Sequence, residues 1–316
     1  HQAIDRITAN GSTALFAGVS KGAGEVRKFL DKTRVNRIIL LSDGLANVGP
    51  SSPGELEDLG RSLGSEGIAV TTLGLGLDYN EDLMTRLAQR SDGNHMFVEN
   101  TTDLAKAYSI EFGDVMSVVA QDVDIRITCA DGVRPVRVLG RDASIDGSIV
   151  RTSLNQLVSE QTKYLILEVE APARKSGDSA PIAEVSVSYL DLETDSRAQA
   201  ASNVFARYTA SAAEVEQRTD PAIMASVIQQ IGNERNELAM SLRDQGRIDE
   251  ARDLFLSNEE FLSSNSIRFN SPVLNEDAEA NRFSADNLDK EQWVRERKAI
   301  QEKQFQTKQQ SVGLKK

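Results

Sequence analysis

From Ala14 to Leu30, apolar residues recur at Leu15, Val19, Val26, Phe29 and Leu30. That helical period places one stripe against a sheet. Asn36 to Leu41 reads instead as a strand, and its Ile38-Ile39-Leu40-Leu41 core is continuously apolar, the pattern of a parallel strand buried on both faces. A second helix is predicted from Pro53 to Ser65, with Leu56, Leu59 and Leu63 on one face and Gly67 ending it. Ile68 to Leu73 is the next strand, Glu81 to Arg90 the next helix, Met96 to Val98 a short strand, and Thr102 to Met116 another helix. Strands interleaved with helices in units of roughly 30 residues predict right-handed parallel crossovers, that is, a doubly wound α/β sheet.

The period changes near Ser117. Between Asp122 and Tyr208 the runs alternate, as in Val123-Ile125-Ile127, Val136-Val138, Leu165-Leu167-Val169 and Val185-Val187-Tyr189, with Asp131-Gly132 and Asp146-Gly147 as hairpin turns. This predicts an antiparallel sandwich-like region of six or seven strands. Past Thr209 the helical period returns: Pro221 opens a helix, Gln245-Gly246 breaks it, and a second helix runs from Ile248 to about Ser263. The expected organisation is 1–117 α/β, 118–208 all-β, and 209–316 a helical hairpin with a basic tail.

Charge adds a constraint. The 316 residues carry 36 Lys and Arg against 48 Asp and Glu, a net charge of -12, which argues against nucleic acid as a partner. The charge is uneven: residues 290–316 hold eight basic and three acidic side chains, are rich in Gln, and read as a solvated helix fraying into a disordered tail. That tail is expected to be free for an acidic partner or a membrane surface. No apolar run approaches the ~20 residues of a membrane helix. The single Cys129 and the two histidines, His1 and His95, leave no disulfide, no multi-Cys or multi-His metal site and no Cys-x-x-Cys pair, so a metal would be held by oxygen. No nucleophile, base and oxyanion donor fall in a plausible order, and no catalytic or cofactor-binding residue is expected.

The candidate chemistry lies in Gly11-Ser12-Thr13 and Ser42-Asp43-Gly44. Asp43 follows a buried parallel strand and Thr13 starts the helix leading into it; ligands gather at the carboxyl ends of strands in open α/β sheets, so both side chains are expected to point at one crevice. Taken singly, Thr13 reads more readily as a helix N-cap and Asp43 as a turn former before glycine, since both tripeptides are frequent. Gly74-Leu75-Gly76 and Gly18 to Gly24 lack dinucleotide or phosphate-loop spacing and read as turn and packing glycines. His95 is expected to be a hydrogen-bonded structural residue, Cys129 a core thiol, and Asp122, Asp124 and Asp131 solvated edge carboxylates.

Taken together, Gly11-Ser12-Thr13, the strand ending Ser42-Asp43-Gly44, the later Thr71-Thr72-Leu73-Gly74-Leu75-Gly76 and the segment leading into Asn94-His95-Met96-Phe97 resemble a von Willebrand factor A domain. The order looks like that of the bacterial proteins known as Ca-activated chloride channel homologues. The resemblance covers residues 1 to about 117 well, continues less specifically to about 208, and says little about the helical part. It implies that Thr13 and Asp43 match the second and third loops of the metal-ion-dependent adhesion site. It implies Mg²⁺ or Ca²⁺ as the cofactor and a protein ligand that offers an acidic side chain to the metal. The first loop of that family, Asp-x-Ser-x-Ser, is absent here, and the expectation is a chain that begins inside the domain, with an incomplete site. The family also implies an outward-facing protein of the bacterial cell envelope. Two other readings of the same crevice stay open: a nucleotide-binding enzyme subunit of doubly wound fold, and a scaffold whose metal site has decayed.

Overall fold

The structure, a computed structural model, describes residues 12–288 and 290–311. Gly11 of the first motif, His1, and the last five residues of the basic stretch lie outside the described residues. The chain divides into two compact units, residues 1–112 and 113–316.

The first unit alternates α1 (Leu15–Arg27), β1 (Asn36–Ser42), α2 (Pro53–Ser65), β2 (Ile68–Leu75), α3 (Glu81–Ser91), β3 (His95–Val98) and most of α4 (Thr101–Met116). The three strands form a parallel sheet in the order β1-β2-β3, with Ser42 opposite Gly74 and Leu75 opposite Val98. Local chemistry fixes the helix ends. Ser52 and Glu55 form a capping box ahead of Pro53, and the Asn80 side chain accepts from the Leu83 amide at 3.1 Å, each supplying a partner to first-turn N–H groups that lack one. Leu15, Val19 and Ala23 of α1 bury their stripe with Leu56, Leu63, Ile68, Val70, Leu83 and Leu87. Burying each large aliphatic side chain contributes about 1.5–3 kcal/mol.

Burial differs from the expectation for β1. Every β2 residue from Ile68 to Gly74 is buried, whereas Asn36–Leu40 are half-buried and Leu41 is 41% exposed. Among the described strands β1 pairs only with β2, so the central place in the sheet, which apolar continuity alone does not assign, belongs to β2. Gly74 follows from close approach: a Cβ there would stand 2.2 Å from the Tyr79 ring, which folds back over the strand end.

The second unit joins strands and helices. Strands β4 (Val118–Cys129), β5 (Arg134–Leu139), β6 (Ser144–Asp146), β7 (Ile149–Val158), β8 (Ile166–Glu170), β9 (Ser179–Asp191) and β10 (Ser196–Arg207) form a five-stranded antiparallel sheet, β10-β9-β4-β7-β6, and a pair, β5-β8. Ile127, Val150 and Ala183 of the larger sheet share a core with Val138 and Leu167 of the smaller one, a sandwich-like arrangement. The turn at Gly147 closes a hairpin, Asp146 facing Ile149. The Asp131-Gly132 turn does not, because β5 leaves the first sheet to pair with β8. The edge expectation for Asp122 and Asp124 is also corrected: β4 is flanked by β7 and β9, and both carboxylates face Arg197, Asp122 in a close ion pair and Asp124 at 4.0 Å.

Helices α5 (Ala212–Arg218), α6 (Pro221–Asp244), α7 (Ile248–Phe269), α8 (Pro272–Asp286) and α9 (Lys290–Gln309) complete the unit. The hairpin is therefore part of a larger bundle, and α7 runs a further turn and a half past Ser263. The Ser271-Pro272 start of α8 repeats the cap-then-proline signal of Asp220-Pro221, with the Ser271 side chain accepting from Leu274 N. The disordered-tail expectation fails over 290–309. There α9 buries Trp293, Ile300 and Phe305, and its basic residues pair with acidic side chains of the same bundle: Arg297 with Asp244 at 2.9 Å, and Lys303 and Lys308 with Asp277 and Glu237. Helices and strands lock together as well. The Gln230 side chain lies where a Cβ on Gly140 would stand, Arg137 bonds Glu234 at 2.7 Å, and Arg141 bonds Gln309 at 3.0 Å.

Candidate functional site

Parallel strands place their carboxyl ends along one edge, and Asp43 is the first residue beyond β1 on that edge. Thr13, two residues before α1, is fastened to the same loop. Its amide donates to Asn47 Oδ1 at 2.8 Å, while its carbonyl accepts from the amides of Asn47 and Val48 at 3.0 and 3.3 Å. Its Oγ1 lies 3.3 Å from where a Cβ on Gly44 would stand, and the Ser42 hydroxyl steadies the turn by donating to the Gly44 carbonyl at 3.2 Å. Two motifs thirty residues apart are thus brought to one spot, with Thr13 half-buried and Asp43 exposed. Asn47, which ties them, is a residue the sequence reading left unassigned; a side chain that clamps a distant backbone amide has no period or spacing to reveal it.

A threonine hydroxyl and an aspartate carboxylate are hard oxygen donors of the kind Mg²⁺ and Ca²⁺ accept. In kind they fit such an ion; in number they supply a small part of its shell. Among the described residues no group of three or more His, Cys, Asp or Glu side chains converges.

The other candidates are structural. His95 is buried on β3 with Nδ1 2.8 Å from the Thr72 hydroxyl, which also donates to the Met84 carbonyl at 3.1 Å. Cys129 is buried at the end of β4, and burial pushes its thiol pKa up, away from the reactive thiolate. A fourth cluster went unpredicted. Glu111 of α4, fully buried, accepts from Arg37 of β1, from the Thr71 hydroxyl of β2 at 2.5 Å and from Asn94 Nδ2 at 2.9 Å. It ties the strands to α4 and involves neither Thr13 nor Asp43.

The order of a parallel sheet, an antiparallel sandwich-like region and a helical bundle recurs in solved structures. The von Willebrand factor type A protein from Catenulispora acidiphila superposes with a TM-score of 0.69 over 90% of this chain and 72% of its own, at 15% identity. The fold is that of von Willebrand factor type A proteins. The ArnB paralog VWA2 from Sulfolobus acidocaldarius matches at a TM-score of 0.52 and 17% identity, over 94% of this chain and 70% of that one. In sequence, the uncharacterized protein YfbK of Escherichia coli (strain K12) is 32% identical over 126 residues, which are 40% of this chain and 22% of that protein. The uncharacterized protein sll0103 of Synechocystis is 26% identical over 200 residues, 60% of this chain and 47% of that protein. The chain thus spans less than half the length of either curated relative. No protein-family model matches it. Among the described residues, no helix is long and apolar enough to cross a membrane.

Proposed function

We propose that the chain belongs to a non-enzymatic protein-binding module whose recognition surface is the carboxyl edge of the von Willebrand A-like sheet. The observation that carries this reading is the fastening of Thr13 onto the loop after β1, which holds a hydroxyl and the Asp43 segment together at that edge. Thr13 and Asp43 would hold a Mg²⁺ or Ca²⁺ ion there. Such an ion, when bound, supplies an open coordination position for an acidic side chain of a protein partner. Backbone bonds to Asn47 and Val48 hold the half-buried Thr13 in place, and the adjoining segment from Leu45 to Gly54 would line the surface. Two donors do not complete an ion's shell, so the reading requires further oxygen ligands beside Thr13 and Asp43. It also carries the family expectation of an envelope protein facing outward from the membrane, in the manner of the chloride-channel homologues.

The test is calorimetric titration of the protein, as its gene encodes it, with Mg²⁺ and Mn²⁺, beside Asp43→Ala. Saturable heats that Asp43→Ala abolishes are the expected result. Equal heats from both proteins would sink the metal assignment and leave a scaffold without a working metal site.

A further inference from the structure

Among α6, α7, α8 and α9 the amide wall of a cleft is bonded from within. Asn258 donates through Nδ2 toward the Gly232 carbonyl at 2.9 Å, Asn236 Oδ1 at 2.8 Å and Asn281 Oδ1 at 3.1 Å, and Asp277 pairs with Lys303. The outer face of the five-stranded sheet is different. Side chains alternate across a strand, so with Ile127, Val150 and Ala183 in the sandwich core, Arg126, Arg151 and Ser186 stand on the opposite, solvent face. There β4, β7, β9 and β10 form a groove of about 470 Å³, within the size range of small-molecule sites.

Register sets two like charges side by side. Arg126 of β4 is directly opposite Arg151 of β7, and both are exposed and line the groove. Directly opposite residues have Cβ atoms about 5 Å apart, and like charges so placed are destabilising, since a guanidinium keeps its proton at any pH near neutrality. Among the described residues neither guanidinium takes part in an ion pair or a hydrogen bond. Carboxylates on the same face are placed elsewhere. Asp124 lies 4.0 Å from Arg197, while Glu184 and Asp146 sit one row on, opposite Thr128 and Ile149, and form no ion pair with either arginine. In the row of the two arginines, Ser186 and Ala201 give the groove a floor of short side chains. In the next row the Ser188 hydroxyl and the Gln199 amide have no hydrogen bond among the described residues.

We propose that this groove binds a small phosphate monoester, its phosphate held between Arg126 and Arg151. A monoester carries about -1.5 to -2 charges at pH 7 and three acceptor oxygens, which matches two permanently charged guanidiniums that have donors and no acceptor. A carboxylate, with one charge, leaves the pair half neutralised. The guanidinium fork meets phosphate oxygens bidentately, and a shared dianion turns the repulsion of the pair into a common attraction. The Ser188 hydroxyl and the Gln199 amide then bond the polar body of the ester. Asp124, Glu184 and Asp146 oppose any anion at this face, so binding depends on both forks closing on one phosphate and not on a general positive field.

The experiment follows the side-chain Nε–Hε resonances of Arg126 and Arg151 in the full chain as glycerol phosphate is added near pH 7 at constant ionic strength, with glycerol, acetate and inorganic phosphate added separately. Saturable shifts of both resonances are expected with glycerol phosphate and none with glycerol. Acetate should bind more weakly by about tenfold or more, and inorganic phosphate several-fold more weakly than the ester. Arg126→Gln and Arg151→Gln should each weaken the ester by about tenfold or more; both side chains are exposed, so neither change threatens the fold. Glu184→Gln should tighten binding several-fold, because a carboxylate on the same face is removed, while Arg174→Gln, in the exposed loop between β8 and β9, should leave it unchanged. No saturable shift, an equal response to acetate, an equal affinity for inorganic phosphate, or a loss in Arg174→Gln as large as that in Arg126→Gln would overturn the proposal.

Discussion

In the α/β unit the buried Glu111 carboxylate receives a guanidinium, a hydroxyl and an amide, all from β1, β2 and the turn before β3. In the helical bundle the buried Asn258 keeps an oxygen with no donor, and Asp277 depends on a half-exposed lysine. The first arrangement ties strands together through a charged pair, with Arg37 Nε left unbonded; the second ties helices together through amides beside a cleft. Both are structural fasteners built from buried polar groups, one ionic and one neutral.

The comparison breaks most visibly at Glu111. Glu111→Ala leaves Arg37 buried without its counterion and should cost about 3–5 kcal/mol in denaturant unfolding. Glu111→Gln, which keeps an acceptor for Thr71, should cost less. Equal losses from the two would mean that packing, not charge, dominates the cluster. Phe305→Ala in α9 tests whether the basic C-terminal segment is part of the bundle core: a buried Phe truncated to Ala should cost about 3–5 kcal/mol, whereas a solvated helix would lose almost nothing. Asn258→Ala is the smaller counterpart, with an expected loss of about 1–3 kcal/mol from the carbonyl and amide oxygens left without its donor. A loss as large as that of Glu111→Ala would show that the bundle relies on its amides as heavily as the sheet relies on its carboxylate.

Much of the α/β order was legible because its signals are local. The stripe of α1, the Ser52-Pro53 start of α2 and the apolar run of β2 each arise within one segment, and the element boundaries fall within a few residues of the predicted ones. The alternation from Val123 to Tyr189 likewise announced antiparallel strands. It could not announce that β5 pairs with β8, because pairing depends on loop paths between sheets, nor that Asp122 and Asp124 lie on an inner strand opposite Arg197. The bundle was half legible. Ser271-Pro272 carried the same start signal as Asp220-Pro221, but α9 reads as polar on nearly every face, and its three buried aromatic and aliphatic anchors are spaced too sparsely to stand out from composition.

Sequence by itself determined the alternating α/β elements, the change to strands near Ser117 and the return to helices after Thr209. Tertiary structure alone decided that β2 rather than β1 is the central buried strand, that Asn47 clamps Thr13, that Glu111 gathers three donors, and that an amide-lined cleft opens among the helices. The division has a physical cause. Periodicity and capping are properties of neighbours along the chain, whereas the bonding of a buried polar atom depends on groups far away in sequence, 74 residues for Arg37 and Glu111.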